Sequence, residues 1–355
     1  MDRAEFDALV AATNADLVDP KRNRDIDWSD GSGAAGLPRF EVYHAAPSLC
    51  SHKVRMTLGE QGLPWRSHDM QIMPRPGTRP ENYAPAFVRL RLAGAPTGTL
   101  VDEYTGRSSV DTEGYDPAVV PLLVDHEAGE VVGDSSRICD YLVRNAGTGP
   151  DLRPADLSDE IDELIAIVDR APHVALLYGA NPDGDHRPDG IQKNMPGVHA
   201  RKVAAVEGAM AEAGDDEALQ AAYRAKIAKE QSAGRFVAKP DSMGTIVGQM
   251  KEGVDALEAR MAKHGGQWTA GDRFTLADIV WAASLFRMRW IGVGGIFDAE
   301  SECPRVFDLA ERLFARPTFR AAIFEWPTSY GPSPHVPEMA TPEWAENFLP
   351  QLVRE

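Results

Sequence analysis

The chain is short of cysteine, of positive charge and of long apolar runs. Its 355 residues hold three cysteines, Cys50, Cys139 and Cys303, with no close pair, so a disulfide framework and a structural zinc site both lack material. Against 54 acidic side chains stand 37 basic ones, and the formal charge of -17 argues against nucleic acid or an anionic membrane as partner, since both require a concentrated positive face. No apolar stretch reaches the roughly 18 residues of a membrane span, and no basic region followed by an apolar core opens the chain. There is no His-Glu-x-x-His helix, no Gly-x-Ser-x-Gly elbow and no Walker loop, so zinc hydrolysis, serine acyl transfer and nucleotide cleavage have no anchor. Asp183-Gly184-Asp185-His186 opens like a cation loop, but Arg187 occupies the next oxygen-ligand position of a calcium loop, and no metal site is expected. The cysteine usage suits a reducing compartment, which is read as the cytoplasm.

What is present is enough apolar material for two cores, 43% of the residues. Residues 1–38 carry scattered charge and end in a Ser/Gly-rich run, and read as a flexible arm. From Phe40 a strand, a helix from about Ser51 to Gln61 stopped by Gly62, and a second strand from about Trp65 to Ile72 form one βαβ unit within residues 39–145. An insertion at 74–117, rich in Pro, Gly, Thr and Arg, reads as a long functional loop or lid. Residues 146–157 form a linker, residues 158–330 read as all-helical with Ile161, Leu164, Ile165 and Val168 at helical spacing, and 331–355 form a tail.

Cys50 stands where the first strand turns through Ala45-Ala46-Pro47-Ser48 into a helix. The unpaired amides and dipole of a helix start favour thiolate, and can bring a cysteine pKa from about 8.5 to roughly 3.5–7.5, so a primed nucleophile and a simply packed thiol are both compatible with this position. Further on, Val120-Pro121 enters a strand, turns at His126 to Glu130, and leads into a helix opened by Asp134-Ser135. Asp134 and Ser135 suit a helix cap; the same start offers N–H groups and a hydroxyl to a carboxylate. A cis Pro121 would leave the Val120 backbone open to an extended peptide ligand. In the helical half, Thr275 and Asp278 have capping-box spacing with Phe274 and Ile279 at the staple positions, which reads as a folding element.

The order strand, Ser48-Leu49-Cys50-Ser51 helix, strand, Val120-Pro121 hairpin, Asp134-Ser135 helix resembles the thioredoxin-type domain of glutathione transferases. The run from Trp268 to Ile279 is similar to that superfamily's helical-domain signature. The resemblance implies an α/β thioredoxin-like N-terminal domain plus an all-α C-terminal domain, with glutathione as co-substrate and a homodimer as the assembly. It also implies that Val120, before a cis Pro121, pairs with the tripeptide backbone while Asp134 and Ser135 hold its γ-glutamyl end. Within the superfamily the chain most resembles the glutathione-dependent reductive dehalogenases of chlorinated hydroquinones, from about Pro38 to Pro327. In that family glutathione thiolate displaces chloride from a ring tautomer. The cysteine matching Cys50 then attacks the conjugate's sulfur, and a second glutathione clears the mixed disulfide. Cys50-Ser51-His52-Lys53 is a monothiol arrangement, in keeping with that sequence. Bacterial enzymes that cleave β-aryl ethers of lignin-derived dimers share the fold and often use serine, so Ser48 and Ser51 remain alternatives as the activating group. A non-catalytic glutathione-binding protein is the third reading.

Around these, Lys53 is expected to meet a glutathione carboxylate or solvent, and His52 to lie at the surface. His173 is expected as a satisfied core histidine. Tyr178, Trp281, Phe286 and Trp290 are candidates to wall a flat aromatic pocket, with a core stripe as the alternative. Arg287 and Arg289 are read as exposed salt-bridging groups or as binders of a phenolate or carboxylate.

Overall fold

The computed structural model describes residues 1–17, 23–28, 38–75, 77–96, 98–145, 147, 149–180, 184–327, 331–341, 343 and 344. Its centre is a five-stranded sheet formed by β1 (Asn23–Ile26), β2 (Phe40–His44), β3 (Trp65–Asp69), β4 (Leu122–Asp125) and β5 (Glu130–Gly133), in the order β1-β3-β2-β4-β5. β2 and β3 run parallel; β4 lies antiparallel to β2, and β5 to β4. The sheet is covered on both faces, and the side chains alternate accordingly. Phe40, Val42 and Leu123 face the helices α2 (Leu49–Glu60) and α5 (Ser135–Asn145), while Tyr43, Leu122 and Val124 face α1 (Arg3–Ala15) and α3 (Pro85–Ala93). The register pairs Val42 with Leu123 and Tyr43 with Leu122, which keeps each set on its own face.

Two expectations need correction here. The first residues are not a flexible arm: α1 begins on an Asp2 cap and buries Phe6, Val10 and Thr13 on one stripe. β1 extends the sheet antiparallel to β3. The anchor is polar and buried. Asn14 donates to the Glu41 carboxylate at 2.8 Å and accepts from the Tyr43 hydroxyl at 2.7 Å. Burial pushes the Glu41 pKa up, but bonds from His126, His68 and Asn14 more than reverse this and hold it well below the usual carboxylate range. Nor is 74–117 a structureless loop. It contains α3, whose Phe87, Val88 and Leu90 are buried, and the short α4 (Val110–Glu113). Proline at its first position starts α3, and its one apolar face is only visible against the sheet it covers.

The remaining chain is helical: α6 (Ser158–Arg170), α7 (His173–Tyr178), α8 (Asp189–Asn194), α9 (Val198–Glu212), α10 (Glu217–Val237), α11 (Ser242–His264), α12 (Leu276–Ile291) and α13 (Pro304–Phe314). Every residue of α12 except Arg289 is buried, and this helix packs against α2, α6 and α13. Its start is the expected capping box. Asp278 accepts from Thr275 N–H at 2.7 Å and from Thr269 N–H at 2.8 Å, and burial raises its carboxyl to about 6 despite these bonds. Past the last helix the chain returns to the core, where Ser333 donates to the Trp290 carbonyl at 2.7 Å and Val336, Met339 and Trp344 are buried.

A buried ion pair joins α2 of the sheet unit to α6 of the helical part. Lys53 of α2, wholly buried, donates to Asp169 of α6 at 2.7 Å. The other oxygen of Asp169 accepts from Ser136 of α5 at 2.6 Å, and its backbone carbonyl accepts from Ser108 N–H at 2.9 Å. Burial opposes the Lys53 charge, but Asp169 more than restores it, so the ammonium is retained. Lys53→Met strands a buried carboxylate and is expected to lower stability in urea unfolding by about 3–5 kcal/mol. Adding Asp169→Leu should recover more than half of that loss; an unrecovered loss would show that the two charges act separately.

Candidate functional site

The loop before α2 is held from inside. Arg55, fully buried, donates to the carbonyls of Ala45 at 3.3 Å and Ala46 at 3.0 Å, and its Nε donates to Ala322 O at 2.7 Å. His52 Nε2 bonds Ala46 O at 2.8 Å, Asp69 accepts from Ala46 N–H at 2.9 Å, and Arg287 of α12 donates to Pro47 O at 2.7 Å. His52 is therefore interior rather than at the surface, and burial followed by the neighbouring Arg55 and Arg287 charges keeps its pKa well below the usual imidazole value. Arg287, expected as an exposed salt-bridging residue or an anion binder, is buried and committed to this carbonyl; Arg289 does pair at the periphery, with Glu311 at 2.7 Å.

At the end of that loop Ser48 is the N-cap of α2 and accepts from Ser51 N–H at 3.3 Å, which places Cys50 in the first turn. The turn's leading amides have no intrahelical acceptor, a position suited to an anion. Cys50 opens onto a cavity of about 310 Å³. Cys139 is sealed in α5, where burial pushes its thiol up to about 12, and Cys303 caps α13 beside Asp255. Among the described residues Cys50 is thus the cysteine that lines the cavity. Of the two readings left open for Cys50, its surroundings disfavour the thiolate. Burial lifts its pKa above the ordinary 9.0, and the Lys53 ammonium and a hydrogen bond with Ser135 offset this only in part.

Val120 and Asp134 line the same cavity, and the Val120–Pro121 bond is cis. Arg91 fixes this hairpin by donating to Pro121 O at 2.7 Å. Asp134 holds a left-handed φ of +82°, which its carboxylate braces by accepting from the amides of Ser136 at 3.0 Å and Val110 at 2.9 Å. Burial and then Asp169 raise its pKa. Before it, Gly133 has no β-carbon because one would collide with the Tyr115 hydroxyl, itself bonded to Arg91 O at 2.6 Å.

Four expected site residues are elsewhere. Ser51 is buried, and its hydroxyl accepts from Ala45 N–H at 3.2 Å as part of the loop scaffold. Lys53 is wholly buried, paired with Asp169, and is not among the residues that line the cavity. Trp281 and Phe286 belong to the core: Trp281 Nε1 donates to Leu164 O at 3.1 Å, and Phe286 packs edge-on against Phe314 and Phe319. Tyr178 and Trp290 do line the cavity. So does His173, which is not the satisfied core histidine expected. One ring nitrogen bonds Ser284 at 3.1 Å while Nδ1 is buried with no partner among the described residues, and burial with the Lys53 and Arg287 charges holds its pKa well below the usual imidazole value.

The rest of the wall was invisible in the sequence. Tyr83, Tyr104 and Tyr115 come from the 74–117 segment, and Lys202, Lys226 and Glu230 from α9 and α10. On an amphipathic helix such charges read as a solvent face; no local signal marks them as interior.

Residues 47–145 match the family model for the glutathione S-transferase N-terminal domain, and residues 204–312 match the one for its C-terminal domain. The chain is 45% identical over 301 residues, 84% of its own length and 86% of the relative's, to the 2,5-dichlorohydroquinone reductive dechlorinase of Sphingobium indicum B90A. Among solved structures it is similar in fold to the β-etherase LigF from Sphingobium sp. strain SYK-6, with TM-score 0.50, 19% identity and coverage of 80% and 98% of the two chains. It is also similar in fold to Ure2p in complex with glutathione, with TM-score 0.51, 14% identity and coverage of 81% and 100%. With its cis-proline hairpin, its sheet order and its helical half all in place, the chain belongs to the glutathione S-transferase family.

Proposed function

We propose that this protein is a glutathione-dependent reductive dehalogenase of chlorinated hydroquinones. The observation that carries the reading is Cys50 at the start of α2, opening onto the cavity that Val120 and Asp134 also line. The extended identity with a dichlorohydroquinone dechlorinase supports the substrate class. Glutathione lies along the hairpin with its backbone against Val120, beside cis Pro121, and its γ-glutamyl end against Asp134 and the α5 start at Ser135. Its sulfur, ionised near the α2 amides, adds to the ring carbon that bears chlorine, and chloride leaves with the carbon–chlorine electron pair. Cys50 Sγ then attacks the sulfur of the conjugate, forming a Cys50–glutathione disulfide and breaking the sulfur–carbon bond. The ring carbon keeps that electron pair and gains the proton that Cys50 gives up. A second glutathione displaces Cys50 as thiol and leaves as glutathione disulfide. Two thiols supply the two electrons, and the ring has exchanged chlorine for hydrogen.

The raised Cys50 pKa fits this order, since a protonated thiol does not compete with glutathione for the chlorinated carbon and still holds the proton the product needs. His173 also lines the cavity, with burial holding its pKa well below the usual imidazole value, and is a group able to carry that proton. Ether cleavage activated by Ser51 is less well supported, because Ser51 is buried in the loop scaffold and does not line the cavity; Ser48 does line it and is the serine left to that route. The reducing environment the reaction needs accords with a cytoplasmic setting, and a two-fold dimer follows from family membership alone.

Incubated with glutathione and 2,5-dichlorohydroquinone, the protein should release chloride and the dechlorinated ring. Cys50→Ser should still release chloride but accumulate the glutathionyl-hydroquinone, seen by mass spectrometry. Dechlorinated product formed at the normal rate by the variant would remove Cys50 from the mechanism. Cleavage of β-aryl ether dimers with no action on chlorohydroquinones would replace the reading by the etherase one, and glutathione binding without any turnover by a non-catalytic role. In the free protein, the rate of Cys50 alkylation by iodoacetamide should keep rising with pH beyond 9, since burial lifts the thiol above 9.0. A plateau reached near neutral pH would mean that the helix start wins over burial.

A further inference from the structure

We infer that Tyr178 and Lys202 form a subsite for a phenolic oxygen of the aromatic substrate, a reading that rests on the proposed function and names how that cavity holds its ring. Six charged groups from α4, α9, α10 and the loop before β4 meet at the cavity wall, three cations and three anions. Two of the cations are saturated. Lys226 pairs with Asp116 at 2.9 Å and Glu230 at 2.8 Å, and Lys229 pairs with Glu113 at 2.7 Å and Asp116 at 3.3 Å. Lys202 is different: its carboxylate contact, Glu230, lies at 3.5 Å, and His199 takes the same oxygen at 2.8 Å.

The short bond of Lys202 is to the Tyr178 hydroxyl, at 2.9 Å, with the ammonium 4.3 Å from that ring's centroid. By accepting from Lys202, Tyr178 keeps its own O–H to donate, and among the described residues nothing accepts it. The ammonium, with three donors, likewise has capacity beyond this bond. Lys202 is 8% exposed, and both residues line the cavity with Tyr83, Leu177 and Met195 beside them. A donor pair carrying one desolvated positive charge, set in an apolar and aromatic wall, suits an oxygen on a flat ring that can shed or share a proton. Such an oxygen is the hydroxyl of a phenol or hydroquinone. Held as phenolate, it feeds electron density into the ring and favours the keto tautomer to which a thiolate adds. Because Lys226, Glu230, His199 and Tyr83 surround Lys202 in a network that is already charge-balanced, an incoming phenolate meets no excess of negative charge.

The test uses 4-nitrophenol, whose ionisation is visible, titrated into the whole protein across pH 5–9. Bound to the native protein its pKa should fall, and the phenolate should bind at least about tenfold more tightly than to Lys202→Met, the scale of one charge-assisted hydrogen bond. Tyr178→Phe, which deletes one hydroxyl and leaves the charge network standing, should weaken binding several-fold, and Lys202→Arg should restore most of the affinity lost in Lys202→Met. Glutathione binding, read by tryptophan fluorescence, should be unchanged in all three. The inference is overturned if the native protein leaves the pKa of 4-nitrophenol unmoved, or if Tyr178→Phe and Lys202→Met bind its phenolate as tightly as the native protein. Dechlorination persisting alongside that result would sink the subsite alone; phenolate binding as expected without any dechlorination would sink the proposed reaction and leave the subsite standing.

Discussion

The cavity depends on one buried ion pair. Lys53 projects from the same helix that begins with Cys50, and Asp169 projects from the helical half, so their 2.7 Å contact fixes how the two surfaces of the cavity face each other. Ser136 and Ser108 bind the same aspartate, which brings α5 and the 74–117 segment to the same junction. Bringing two charges out of water costs about as much as their attraction returns, so the value of such a pair lies less in net stability than in excluding other arrangements of the halves. The core supports this geometry: one apolar cluster runs from Phe40 and Val42 of the sheet through α2 to Trp281 and Leu285 of α12 without interruption.

Around that junction the molecule separates rigid backbone from available chemistry. Arg55, His52, Asp69 and Arg287 hold Ala45, Ala46 and Pro47 by hydrogen bonds, so the loop before α2 is ordered before a ligand arrives. A site held in advance spends less of its binding energy on ordering itself. Cys50, by contrast, faces the cavity, and the burial that shelters the site raises the pKa of its thiol. Enclosure and helix start thus act on the sulfur in opposite directions, and enclosure prevails in the free protein.

Net charge and local charge also part company. The whole chain carries -17, yet the cavity wall contains lysines neutralised one by one by carboxylates from α4, α10 and the segment before β4. The overall excess of acid keeps polyanions away. It says nothing of an interior in which a single ammonium, in a low-dielectric setting, outweighs many distant surface charges.

Much of the fold was legible because its signals are local. The apolar run of β2, the Thr275–Asp278 capping box, proline before the hairpin strand and the Asp134-Ser135 helix start are each written in a few adjacent residues, and β2, β4, α12 and α5 stand where those patterns place them. The cysteine at the first helix start was legible for the same reason. The sequence by itself also determined the scarcity of cysteine and the excess of negative charge. Only the tertiary structure decided which polar groups became interior: that Lys53 is spent on Asp169, Ser51 on Ala45, Trp281 and Phe286 on the core, and that Lys202 and Tyr178 reach the cavity. The physical reason is that burial belongs to contacts between residues distant in the chain, Lys53 and Asp169 being 116 positions apart, whereas caps, turns and strand alternation are settled within a few residues of each other.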